Sequence, residues 1–360
     1  MLGPILPSLA ARWGLNDEQA GHLFAAQFLG AIAGTLVSSR LVTRFGYRAV
    51  LVAGYALMAM GVVLTPTTGS AAVACYGFGL GIVIPVSNLL IAAWNPTRRA
   101  AALNLLNLAW GVGAVIAPQL ISAFLPTGGF GLLMTGLAGA LCLTSAACAV
   151  SGWEAESTSP ATPVGGNGIG HPMLWRTCVL LFLYVGTENG ISGWIPSYLL
   201  RAGSVSGASI AAAQSGFWGA ILLGRMFAPL LLRKVAAQRL VLAAVCTATV
   251  GAAVFLAANH AAVIFGGVLL AGVGLSIVFP TAIAIFTGSL GADAVRWNPL
   301  IFVCASLGGA AIPCMAGFVS TRFHDLRTGM FTPLAAVATM VLVQSRICAL
   351  LARRQLEDRF

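Results

Sequence analysis

Apolar positions in this chain come in long blocks, and charges punctuate the blocks. Between Arg48 and Arg98 lie 49 residues with no Asp, Glu, Lys or Arg; between Arg99 and Glu154 there are 54, and between Arg239 and Asp293 there are 53. A membrane-crossing helix needs about 20 apolar residues, so each run predicts two spans joined by a neutral turn. The turns are Thr65–Ser70, Pro126–Gly129 and Ala258–His260. Shorter charge-free runs supply the rest. The predicted spans are 18–39, 49–65, 70–94, 101–125, 129–152, 173–200, 208–232, 240–258, 261–287, 298–320 and 329–351, eleven complete helices, with a helical fragment at 1–12. The runs are continuously apolar and do not alternate in short segments, so the expectation is an all-α integral membrane protein, not a barrel.

Composition narrows the class further. Of 360 residues 59% are hydrophobic and 8% charged, with a net charge of +10. Soluble domains carry about a quarter charged residues, so a soluble enzyme, a disordered chain and a nucleic-acid binder are excluded. The basic residues predict orientation. Fifteen of them, including Arg40, Arg44, Arg48, Arg225 and Arg233, fall on one side of the predicted spans, against Arg12, Arg201, Arg322 and Arg327 on the other. The first side is read as cytoplasmic, in a multi-pass protein of the cell (inner) membrane. The eight cysteines stand singly in apolar runs, so no metal site is expected. No nucleotide-binding loop or catalytic triad spacing is present, so neither a cofactor nor enzyme activity is expected. A Ser-, Thr-, Pro- and Gly-rich linker at 153–172 divides the chain into an N-terminal half, 1–152, and a C-terminal half, 173–360.

The two halves are related. A shift of 189 lays Pro7-Ser8 on Pro196-Ser197, Arg12 on Arg201, Gly30–Ile32 on Gly219–Ile221 and Arg44 on Arg233. A shift of 195 lays Pro85 on Pro280 and Pro118 on Pro313. Matched prolines in consistent register point to parallel repeats about an axis along the membrane normal. By the same shift the counterpart of Arg176 falls about thirteen residues before Met1. The first helix is therefore expected to be cut in half, with a start assigned too far downstream.

These features resemble the major facilitator superfamily. Ser39–Arg48 is similar to its signature loop between helices two and three, with Ser39 and Thr43 where Gly and Asp are usual, and Gly224-Arg225 through Arg233-Lys234 echoes it at the repeat position. The resemblance implies two six-helix halves rocking about a central site, with cytoplasmic gating loops carried by Arg40, Arg44, Gly46, Arg48, Gly224, Arg225 and Arg233. Gly79–Asn88 is similar to the fourth helix of the fucose permease and its sugar–proton symporter relatives. There the resemblance places a carboxylate at Ile84, absent here, while Asn88 matches. The antiporter signature of helix five is poorly met at Pro118-Gln119, which disfavours drug efflux.

Glu188 is the one acidic residue deep inside a predicted span. A carboxylate there costs roughly 2.5–3.5 kcal/mol unless paired or protonated. It is a candidate for proton coupling, or alternatively for pairing with Arg225. Glu188 lies thirteen residues from Trp175 and Arg225 eight from Arg233, so their depths differ by roughly 7 Å at about 1.5 Å per residue, within reach of two long side chains. Candidate substrate contacts are Gln27, Asn88, Asn104, Asn107, Trp110, Asn189, Trp194, Gln214 and Trp218, amides and indoles that suit a polyhydroxylated ligand or simply bond between helices. Pro85, Gly190, Pro196 and Pro280 are candidate hinges. The expectation is a monomer in the lipid bilayer that takes up a small, sugar-like solute, with protons as a candidate partner. Efflux of an amphipathic compound, and a membrane scaffold or sensor, are the alternatives.

Overall fold

Fifty-two consecutive residues, Asp17–Thr68, form helix α2 without an intervening loop. At about 1.5 Å per residue this is more than twice the roughly 30 Å of a bilayer core. Gly46 resolves the excess: its backbone is at φ 78°, ψ 163°, a conformation that only glycine adopts without strain, and the chain turns back there. The expected gating loop thus contracts to one residue, with Arg40 and Arg44 on helical turns before it and Arg48 after. Helix α4, Arg99–Val150, repeats the device at Gly129, φ 71°, where the sequence predicts a turn.

The computed structural model describes residues 2–95, 97–151, 170–202, 207–291 and 294–357. Its other helices are α1 Leu2–Trp13, α3 Ser70–Trp94, α5 Pro172–Ala202, α6 Gly207–Leu232, α7 Ala237–Ala257, α8 Ala261–Ser276, α9 Val278–Leu290, α10 Ala294–Phe323, α11 Leu326–Gly329 and α12 Phe331–Glu357. Ten stretches among the described residues are long and apolar enough to cross a membrane, and the first, Asp17–Thr67, is double, which makes eleven crossings. Residues 153–169 of the expected linker lie outside the described residues. Two corrections to the expected elements follow. The predicted span 261–287 is interrupted at Ile277, between α8 and α9. Gly224 and Arg225, assigned by the resemblance to a gating loop, lie inside α6, within the predicted span 208–232.

The prolines explain how the helices are tied together. A proline inside a helix lacks the N–H that would bond the carbonyl four residues earlier. Each of three freed carbonyls is taken by a side chain on a neighbouring helix. Pro85 frees Gly81, whose oxygen accepts from Thr35 Oγ1 of α2 at 3.0 Å. Pro196 frees Ser192, whose oxygen accepts from Gln214 Nε2 of α6 at 2.7 Å. Pro280 frees Ser276, whose oxygen accepts from Arg225 Nε of α6 at 3.2 Å. Helices α3 and α5 run unbroken through Pro85, Gly190 and Pro196; of the four expected hinges only Pro280 adjoins a break.

The larger apolar core joins the two sides of the linker. Leu2, Leu6, Leu9, Leu23 and Phe24 pack in one cluster with Trp194, Phe217, Val245, Leu275 and Val337. A smaller cluster, including Val50, Met58, Ile82 and Val86, holds α2 and α3 together.

Candidate functional site

Glu188 sits on α5 with its side chain 11% exposed. One turn earlier on the same face, Tyr184 donates its hydroxyl to Glu188 Oε1 at 2.7 Å. Arg225 reaches across from α6. Its Nη2 donates to the Tyr184 oxygen at 3.3 Å and lies 3.7 Å from Glu188 Oε1. Its Nε is held by the Ser276 carbonyl that Pro280 releases. Gly224 permits the approach: a Cβ there would lie 2.1 Å from Ser276 Oγ. A cation, an anion and a phenol are thereby gathered from α5 and α6 onto a break in the α8–α9 rod. Phe279 packs beside Tyr184, with ring centroids 5.8 Å apart, and Phe302 stands 5.9 Å beyond it.

Facing this cluster from before the linker is α4. Helices α4 and α6 run antiparallel in one register. Ser215 donates to the Val115 carbonyl at 2.7 Å and receives Gln119 Nε2 at 3.3 Å; further along, a Cβ on Gly111 would meet Leu222 at 2.7 Å. Trp110 meets Trp218 edge to face, with centroids 5.5 Å apart. The next pair in that register is Asn107 and Arg225. Asn107 is exposed and turns its amide onto its own Leu103 carbonyl, while Arg225 bonds within its own side of the molecule. Among the described residues no hydrogen bond joins Asn107 to Arg225, and Asn107 and Trp110 are exposed on this stretch of α4. Asn104, one turn further, is exposed as well.

The other sequence candidates have different surroundings. Trp194, 1% exposed, donates to the Pro313 carbonyl at 3.1 Å, and Gln214 is committed to Ser192, so both serve packing between helices. Asn88 and Asn189 bond their own helices, to Ile84 and Val185. Gln27 lines a cavity of about 40 Å³ with Leu2, Tyr76 and Met134. Arg48 and Arg233 are exposed. Tyr184 escaped the sequence reading, although its spacing of four before Glu188 was visible there.

A second polar cluster was also missed. At the end of the molecule opposite Gly46, Asp17 of α2 accepts both terminal nitrogens of Arg201 of α5 and the hydroxyl of Ser320 of α10. The Glu18 amide donates to Thr321 Oγ1 at 2.8 Å. Gly317 of α10 presses so close that a Cβ there would lie 2.2 Å from the Asp17 carbonyl. This seals the first and second sides of the linker against each other. The only sequence signal was the repeat pairing of Arg12 with Arg201; no spacing links Asp17 to Ser320. Near this end lies a cavity of about 370 Å³, lined by Trp13, Gln19, His22, Thr67 and Ser70 among others, and Glu188 is not part of its lining.

A family model described as Major Facilitator Superfamily matches residues 1–313. The chain belongs to the Major Facilitator Superfamily. Within this superfamily it is similar to "Bypass of stop codon protein 6" of Saccharomyces cerevisiae, 22% identical over 62% of this chain and 52% of that protein. It is 26% identical to the probable nitrate/nitrite transporter NarK2 of Mycobacterium tuberculosis over 68% of this chain and 64% of that one. Glucose/mannose transporter GlcP of Bacillus subtilis is 22% identical over 96% and 90%. The chain spans about half to two thirds of the length of the first two. Among solved structures, a bacterial homolog of the human lysosomal transporter Spinster, inward-facing and occupied, superposes with a TM-score of 0.74 at 14% identity, covering 100% of this chain and 95% of that one. The superfamily transporter FucP in its outward conformation gives 0.62 at 18% identity, covering 95% and 93%.

Proposed function

We propose that this protein is a secondary transporter that carries a small polar organic solute by alternating access. The observation that carries this reading is the Glu188–Tyr184–Arg225 cluster, a charged site inside the apolar span region. An isolated charge at that depth is costly, and Arg225 stays 29% exposed beside Glu188, which a purely structural pair does not need. The solute would lie beside Arg225 and Glu188, with Asn107 and the packed Trp110–Trp218 pair along its flank. Glu188 would take up and release a proton in each cycle. The positive-inside bias makes the Gly46 end cytoplasmic, so the Asp17 contacts would close the outer end. Residues 1–152 would rock against 173–360. Sugar transport, named for GlcP, and anion transport, named for NarK2, are both compatible with superfamily membership.

Counterflow in proteoliposomes of the purified full chain, against a panel of labelled solutes, tests the reading. Exchange of at least one solute is expected, and Glu188→Gln should keep exchange while losing accumulation driven by a pH gradient. Proton-driven accumulation that survives Glu188→Gln would remove the coupling role.

A further inference from the structure

The way Arg225 is bonded bears on the charge of the solute. A guanidinium has five N–H donors. Nε is used by the Ser276 carbonyl and one Nη2 hydrogen by Tyr184. Glu188 Oε1, at 3.7 Å, balances the charge from outside hydrogen-bond range. Three donors remain without an acceptor among the described residues, on a side chain that is 29% exposed. Arginine's planar fork matches a carboxylate with two parallel bonds. Glu188 makes neither: its short bond is to Tyr184. Arg225 thus has an unfilled anion position beside a filled one.

We infer that the transported solute is a monoanionic organic acid, whose carboxylate docks on Arg225 while Glu188 takes a proton. The inference rests on the transport reading above and adds the substrate class. Charge balance supplies the argument. Among the described residues, the charged or titratable side chains facing Glu188 are Tyr184 on its own helix and Arg225 of α6; α1, α9, α10 and α12, which also pack on α5, bring none. The site therefore holds one positive and one negative charge. An added carboxylate leaves a net negative charge in a low-dielectric interior, an unfavourable state. A proton on Glu188 from the aqueous phase restores neutrality, so one anion binds with one proton and both travel together. The Tyr184 hydroxyl can turn to accept from protonated Glu188, so the carboxyl keeps a partner in both states. A neutral sugar changes no charge at this site, so charge balance by itself would not tie a proton to its binding. Phe279, Phe302 and the Trp110–Trp218 pair offer apolar surface for the body of the acid.

The test is counterflow of three labelled monocarboxylates, acetate, pyruvate and benzoate, beside the uncharged acetamide and benzamide and beside glucose. At least one carboxylate should exchange where its amide does not, and external acid should drive its accumulation. Arg225→Lys should weaken that exchange by about tenfold or more, because a point charge replaces a fork. Glu188→Gln should keep carboxylate exchange and lose acid-driven accumulation. Melting curves of each variant in detergent separate loss of function from loss of fold. Exchange of glucose without any carboxylate overturns the inference and leaves the transport reading standing. Equal exchange of acid and amide overturns it too. If the wild type exchanges no probe at all, the inference falls and the transport reading falls with it.

Discussion

Pro85 and Pro280 pose the same structural problem and receive different answers. Each releases a carbonyl inside the membrane region, and each carbonyl is taken by a side chain from the neighbouring helix. At Gly81 the donor is the Thr35 hydroxyl; at Ser276 it is the Arg225 guanidinium. Threonine satisfies the oxygen and leaves nothing over. Arginine satisfies it and brings a charge with spare donors, which then needs Glu188 and Tyr184. A structural repair has in one place become a site. Related halves need not share the work equally, and here the ionic chemistry lies after the linker.

The sharpest way to break this comparison is to remove the charge. Arg225→Gln strands Glu188 as an unpaired anion and should cost about 3 kcal/mol of stability, read as a lower melting temperature together with loss of counterflow. Glu188→Gln in the same background should return most of that stability, which distinguishes an unbalanced charge from lost packing. The Asp17 seal comes next. Asp17→Asn keeps the size of the side chain but loses the paired charge, and should weaken the seal by about 1–3 kcal/mol, seen as increased access of water-soluble thiol reagents from that end. Thr35→Val is the control for Arg225. It leaves the Gly81 carbonyl unpaired at a cost of about 1 kcal/mol with transport retained; loss of transport would show that the two carbonyls are not so different after all.

The smallest effect lies outside both regions and sets a baseline. Asp325 caps α11, accepting from the Thr328 hydroxyl and from the backbone amides of Thr328 and Arg327. These bonds, the Thr328 hydroxyl first, hold its carboxyl below the usual aspartate range. The stabilisation is therefore present above the ordinary aspartate value and is lost as pH falls through the lower folded one. Asp325→Ala should cost about 0.5–1 kcal/mol near neutral pH, as for an exposed cap. The difference from wild type should vanish in acid, measured by melting curves across pH.

Much of the fold was legible because charge-free stretches have to be hydrocarbon-length helices. That rule placed the crossings, and Gly129 marked its turn by residue type. It failed where geometry depends on packing. Nothing in the series of apolar residues at 261–287 fixes a break at Ile277, and the helical start of the Arg40–Arg48 segment needed Gly46 to do the work of a loop. The site was half legible. Depth alone allowed Glu188 and Arg225 to meet, and they do. The amides were not readable, because whether Asn107 or Asn189 turns toward a neighbour or back to its own helix is a rotamer choice that the local sequence leaves open. Asp17, Arg201 and Ser320 come from three separate helices, and only the folded chain assembles them.

The seal also gives the molecule a built-in observer of its own motion. Cys314 lies half-buried in α10 with its backbone against Gly21 of α2, where a Cβ would stand 3.1 Å from the Cys314 Cα. In the proposed cycle, release of Asp17 from Arg201 and Ser320 would draw α2 away from this spot. Alkylation of the natural Cys314 thiol, followed peptide by peptide, would then report any loosening of this α2–α10 contact without an introduced label.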